Sequence, residues 1–321
     1  MEPKSIAFCT AVAMSILAVI SATTVPTLAL EQPDTQSQDQ QSTTADDGAA
    51  ADKTDPKEDS AKSNDNSDDT GVIKDNGAGS QSLGLDPSRG VASCGQMVTE
   101  DVILTSDLEC GPGNGLVVTT DNVAIDLNGY KISSAGETDS TDLPTGYDSS
   151  SGILVTDADN VVISGLGGID GFDAGVRFIG SSGGKVTDVA FTNNNAGVVM
   201  SGADNTEISR DTMTNNKFGI VSGSSNEGTM AFNSLVANDR QGIVLIGSDD
   251  NVIAANSLYG NGNNGIYVDI MSNGNTIDFN TAYGHETADI NNADGQPISV
   301  NGNIYGEHNN CGVSLPAGLC G

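Results

Sequence analysis

Five side chains in this 321-residue chain have the chemistry to attack a sugar polymer: Arg177, Asp249, Asp250, Asp269 and His285. Acid–base cleavage of a glycosidic bond needs two carboxylates, or a carboxylate and a strong base, within reach of one bond. Asp249 and Asp250 are adjacent in Ser248-Asp249-Asp250-Asn251, the imidazole stands in Gly284-His285-Glu286, and Arg177 and, in principle, Arg240 are the candidate bases for an elimination, although an isolated surface Arg is usually inert. Arg177 and Tyr267 are also the candidates for holding a ligand, one by charge and one by its ring. Asp249 and Asp250, with the acidic segment 137–148, are the candidate ligands for calcium, the one cofactor the residue types suggest. Copper chemistry is poorly served, because His285 and His308 are the only imidazoles. Met200, Met213, Met230 and Met271 read as core or coil-surface residues.

The elements that must position these groups come from an internal repeat. Gly-apolar-x-apolar recurs at Gly152-Ile153-Leu154-Val155, Gly175-Val176-Arg177-Phe178, Gly197-Val198-Val199-Met200, Gly242-Ile243-Val244-Leu245 and Gly265-Ile266-Tyr267-Val268, with Gly219-Ile220-Val221 keeping the register. The spacings are 23, 22, 22, 23 and 23 residues, and an earlier copy, Gly115-Leu116-Val117-Val118, precedes Gly152 by 37. That longer interval fits one coil plus an insertion of about 14 residues. Within a repeat, period-two alternation is interrupted by turns, which predicts three short strands per coil. Asn marks the breaks: Asn233 and Asn280 take the place of Asn256, and Asn215 and Asn238 that of Asn261. Such columns suit turns stacked along an axis, because Asn tolerates left-handed backbone.

These features predict an all-β, parallel β-solenoid of eight or nine coils over residues 91–321, roughly 40 Å long at about 4.8 Å per coil. A leucine-rich horseshoe lacks its L-x-x-L-x-L signature here, and propeller blades need about 40 residues. Alternation places Val117, Leu154, Arg177, Val199, Val221, Val244 and Tyr267 in one outward column, with Thr119, Thr156, Ser201 and Asp269 in the next. An apolar stripe of that kind is expected to be covered, by the polar insertion 133–151, by the segment leading into the solenoid or by a partner subunit.

The remainder of the chain reads differently. Residues 1–30 carry Lys4 before an apolar run and small residues near Ala29, the pattern of an export signal or an N-terminal anchor. Residues 31–90 hold fourteen acidic against five basic side chains and almost no large apolar ones, the composition of a disordered linker. The net charge of −31 disfavours nucleic acid and anionic lipid as partners, so membrane contact is expected only through an uncleaved N-terminal segment. Cys94, Cys110, Cys311 and Cys320 allow three pairings. A solenoid puts the first two at one end and the last two at the other, which predicts Cys94–Cys110 and Cys311–Cys320 in an oxidising, extracytoplasmic setting.

The region 94–320 resembles the secreted right-handed parallel β-helix proteins, the superfamily that spans NosD-type proteins and carbohydrate-binding and sugar-hydrolysing members. Its opening, Cys94-Gly95 through Leu104-Thr105-Ser106-Asp107-Leu108 to Cys110 and Asp126-Leu127-Asn128-Gly129-Tyr130-Lys131-Ile132, is similar to theirs, as is its close at Asn310-Cys311, Pro316 and Leu319-Cys320. The resemblance implies an extracellular or cell-surface protein that engages polysaccharide or envelope components, with a lyase, a glycoside hydrolase or a NosD-like copper-delivery accessory as alternatives. The residues favour the non-catalytic reading, since the outward columns contribute one acid. The Asp-Asp and Gly-His patterns resemble polygalacturonase motifs, but the accompanying Arg-x-Lys is missing.

Overall fold

The computed structural model describes residues 92–135 and 150–321. The export and linker segments and most of the insertion lie outside the described residues. The rest winds into a parallel β-solenoid of three sheets, with ten, nine and nine strands. Each coil contributes one strand to each sheet, as with Ala174–Ile179, Lys185–Thr187 and Ala190–Thr192. Each strand then pairs in register with its counterpart one coil on.

The interior is a stack of apolar columns. Val176, Val198, Ile220, Ile243, Ile266 and Ile290 point inward from the first sheet, and Ile169, Phe191, Met213, Leu235 and Leu258 from the third, all fully buried. The repeating glycine makes this stack possible. A Cβ on Gly219 would lie 2.4 Å from both the Gly242 carbonyl oxygen and Leu235 Cδ2, and one on Gly152 would lie 2.2 Å from Ile169 Cγ2. The glycine therefore sits at the corner where the third sheet's side chains pass beneath the first sheet, and any side chain there would displace core or backbone.

Buried amide ladders hold the corners. In the corner between the third and first sheets, the N–H of Asn194 donates to Asn216 Oδ1, that of Asn216 to Asn238, and that of Asn238 to Asn261. Asn216 occupies the ladder position expected for Asn215, because this coil spans 22 residues. Asn215 instead takes the left-handed turn beside it, at φ 56°. A second ladder between the second and third sheets runs Asp211, Asn233, Asn256, Asn280, Asn309. A third runs Asn251, Asn275, Asn303 between the first and second. Each side chain satisfies a buried N–H of the preceding coil, which offsets the cost of placing polar residues in sealed corners.

Both disulfides form as expected, Cys94–Cys110 at the N-terminal end and Cys311–Cys320 at the C-terminal end. Met200, Met213 and Met230 are core residues, while Met271 is exposed. The outward column of the first sheet runs in register from Val117 through Leu154, Arg177, Val199, Val221 and Val244 to Tyr267. Its middle is buried and forms a second apolar cluster with Ala174, Ala196 and Phe218. The insertion expected as one of its covers lies mostly outside the described residues.

Candidate functional site

The candidate residues do not converge: some lie in turns and others are buried. Asp249 and Asp250 lie in the turn from the first sheet to the second. Asp249 Oδ1 accepts hydrogen bonds from the N–H and Nδ2 of Asn273, and Asp250 has left-handed backbone with its carboxylate against Gly274. Asp269, one coil on, accepts from the N–H groups of Gly247 and Met271 and from Ser272 Oγ. These three acids share one edge of the first sheet. His285 is at the opposite edge, and Arg177 precedes Tyr267 by four coils in the outward column, a separation of roughly 19 Å.

His285 has a structural task. It ends the ladder of Asn194, Asn216, Asn238 and Asn261: its Nδ1 accepts the N–H of Asn261 at 3.0 Å, and its ring is fully buried. Burial lowers its pKa, which the Asp289 carboxylate and main-chain hydrogen bonds partly offset, so the ring is neutral and Nδ1 is free to accept. Arg177 is also buried, with Nε donating to Ser151 Oγ, and desolvation lowers its pKa against the opposing pull of Asp173.

Two adjoining hollows lie instead over the last coils of the first sheet. A groove of about 450 Å³ has Phe218, Val244 and Tyr267 as its apolar wall, with Asn264, Asn291 and Arg240 around it. A recess of about 500 Å³ adjoins it, shares Arg240, Asn263 and Thr287, and adds Lys217, Asp239 and Glu286. Main-chain hydrogen bonds between coils stack Lys217, Arg240, Asn263 and Thr287 in one corner column. The Arg240 guanidinium carbon lies 5.9 Å from the centre of the Phe218 ring, a cation–π contact.

Tyr267, the ligand-holding candidate, is half-buried in this groove, and its hydroxyl donates to Asp294 Oδ2 at 3.4 Å. Burial and then the Asp294 carboxylate raise its pKa, which keeps the phenol protonated. Asp294 and the preceding Ala293 both hold left-handed φ, 54° and 48°. Two consecutive non-glycine residues in that region cost about 1–2 kcal/mol each. The strain is tolerated where Asn291 Oδ1 anchors the Gly295 N–H. Sequence reasoning missed Asp294, Asn291 and the role of Phe218, because none of them repeats.

It also missed a stacked pair on the third sheet, Tyr259 and Tyr283, whose ring centres are 6.4 Å apart. Their 24-residue spacing, one coil, was the available signal.

Three parallel sheets, buried corner ladders and a groove on an outer sheet face define a right-handed parallel β-helix protein. The chain belongs to the family described as periplasmic copper-binding protein (NosD), which matches residues 118–315. No curated protein sequence matches it. Similar solved structures include the A-module of the Azotobacter vinelandii mannuronan C-5 epimerase AlgE6, at 15% identity and TM-score 0.50 over 64% of this chain and 60% of that one. Another is the Dettilon tailspike protein (gp208), at 18% identity and TM-score 0.49 over 69% and 55%. This chain spans little more than half the length of either, and the likeness is one of fold.

The family's copper does not fit the described residues. The His285 ring is sealed in its ladder. The His308 ring is stacked on Phe279 at 4.2 Å, with Nδ1 3.2 Å from Asp278 Oδ2. All four described cysteines are in disulfides. Among the described residues no group of three or more His, Cys, Asp or Glu side chains converges as a metal would require.

Proposed function

We propose that this protein is an extracytoplasmic, non-catalytic β-helix that binds polysaccharide or another envelope glycan in the groove over the last coils of its first sheet. The observation that carries this reading is the composition of the groove. Tyr267, half-buried beside the buried Phe218 and Val244, offers an aromatic face for a pyranose ring, and the exposed Arg240 fork offers hydrogen bonds to its hydroxyls. The one carboxylate lining that groove, Asp294, is engaged by the Tyr267 hydroxyl. The family's periplasmic description and the disulfides at both ends support a location outside the cytoplasm.

One observation favours a second reading, a carbohydrate-active enzyme. Asp239 and Glu286 line the adjoining recess two coils apart, roughly 10 Å. A glycan-array screen on the purified protein, with analysis of the products of every hit, separates the two. Binding without new reducing or unsaturated ends is expected, and turnover of any glycan overturns the non-catalytic reading.

A further inference from the structure

The cations of the solenoid differ in how they are neutralised. Lys185 pairs with Glu207 at 3.0 Å and Arg210 with Asp188 at 3.1 Å. Arg240 is exposed in a chain with 43 acidic and 12 basic side chains. Asp239, Glu286 and Asp294 line the same two hollows, yet among the described residues no carboxylate comes within 4.0 Å of its guanidinium. What holds Arg240 is the face of Phe218. A guanidinium stacked on a ring keeps its N–H edge free, and that edge matches a carboxylate with two parallel hydrogen bonds. Lys217 is the next residue in the same column, one coil or about 5 Å away, and lines the recess.

We propose that the groove takes an acidic glycan, with the carboxylate of a uronate residue on Arg240 and the ring of that or the neighbouring sugar against Tyr267. This rests on the glycan-binding reading above and specifies its ligand class. Asp239 and Glu286, which line the same recess, then disfavour a second anionic group close to the first, so the polymer lies along the groove with one carboxylate engaged.

The test is calorimetric titration of the full chain with polygalacturonate, alginate and hyaluronate, and with the same three polymers after chemical reduction of their carboxyl groups to alcohols. At least one polyuronate is expected to bind, its reduced form about tenfold more weakly, with the difference shrinking in 0.5 M salt. Arg240→Gln should abolish the preference for the acidic form, and Tyr267→Ala should weaken both forms. Lys131→Gln, on the third sheet away from the groove, should change neither. Arg240 is exposed, so its variant is expected to melt as the parent does, and a melting curve confirms that. Equal binding of acidic and reduced polymers, or an undiminished preference in Arg240→Gln, overturns the acidic-ligand inference and leaves glycan binding standing. Binding to none of the six overturns both.

Discussion

Asp211 stands at a ladder position that four asparagines fill in the following coils, and replacing it with Asn should stabilise the protein in a pH-dependent way. Its Oδ1 accepts the Val189 N–H and its own N–H donates to Asn233 Oδ1, as in its neighbours. The difference lies at Oδ2. In Asn233 the corresponding Nδ2 donates to the Ile208 carbonyl, whereas Asp211 Oδ2 is buried with no partner. A carboxylic acid proton restores a donor at that place, and burial pushes the Asp211 pKa up from 3.8 to about 8. The unfolded chain releases the proton above pH 3.8 while the folded one keeps it until about 8. Stability is therefore complete below pH 3.8 and falls by about 1.4 kcal/mol per pH unit up to the folded value. At pH 7 the cost is about 4 kcal/mol, which Asp211→Asn removes. For a folded unit of this size that is on the order of 10 °C in melting temperature. Thermal melts of parent and variant followed by circular dichroism at pH 3.5, 5, 7 and 8 should show a gap that opens from near zero. A gap of constant size, or none at pH 7, would mean that the folded protein does not hold Asp211 protonated.

Other positions test the same architecture. Gly219→Ala forces a Cβ to within 2.4 Å of a carbonyl oxygen and a core methyl and should cost about 3 kcal/mol or more in urea denaturation. His285→Leu leaves the buried Asn261 N–H unsatisfied, at about 1–3 kcal/mol, while His285→Asn should retain the ladder. Because the folded pKa of His285 is lowered, its contribution is complete above the unfolded value of 6.5 and is lost as pH falls below it, so the parent's urea midpoint should drop between pH 7.5 and 5 more than that of His285→Asn. Reducing Cys94–Cys110, which closes 16 residues, should lower stability by roughly 3 kcal/mol in a redox-controlled melt.

The fold was legible because its determinants repeat. Glycine recurs where a Cβ cannot fit and Asn where a corner N–H must be met, so one coil's sequence predicts the next. The ladder register slipped by one residue at Asn215 because two asparagines stand side by side and only the coil length of 22 tells which turns inward. His285 illustrates a different difficulty. Gly284-His285-Glu286 looks like a catalytic fragment, but His285 lies 24 residues after Asn261, and that spacing is the evidence for a ladder terminus. The contact of Arg240 with Phe218 carried no signal, since it depends on two neighbouring coils and on neither sequence neighbourhood alone.

That contrast locates function in the molecule. The inward columns are committed to the core and the corners to amide ladders, so the side chains free to differ between coils are the outward ones and those in extra residues. Ladder spacing is 22 residues at Asn194 and Asn216, 24 between Asn251 and Asn275, and 28 and 29 in the last coil. The added residues include the left-handed pair Ala293–Asp294, which brings Asp294 to the Tyr267 hydroxyl. The groove thus forms where the repeat lengthens, and the strain at Ala293 and Asp294 is the local cost of departing from it. Shortening 293–302 to the length of a regular coil should keep the solenoid and its ladders intact while removing the Asp294 contact and weakening glycan binding. A shortened protein that melts like the parent and binds glycan equally well would mean that the recognition surface lies elsewhere on the rod.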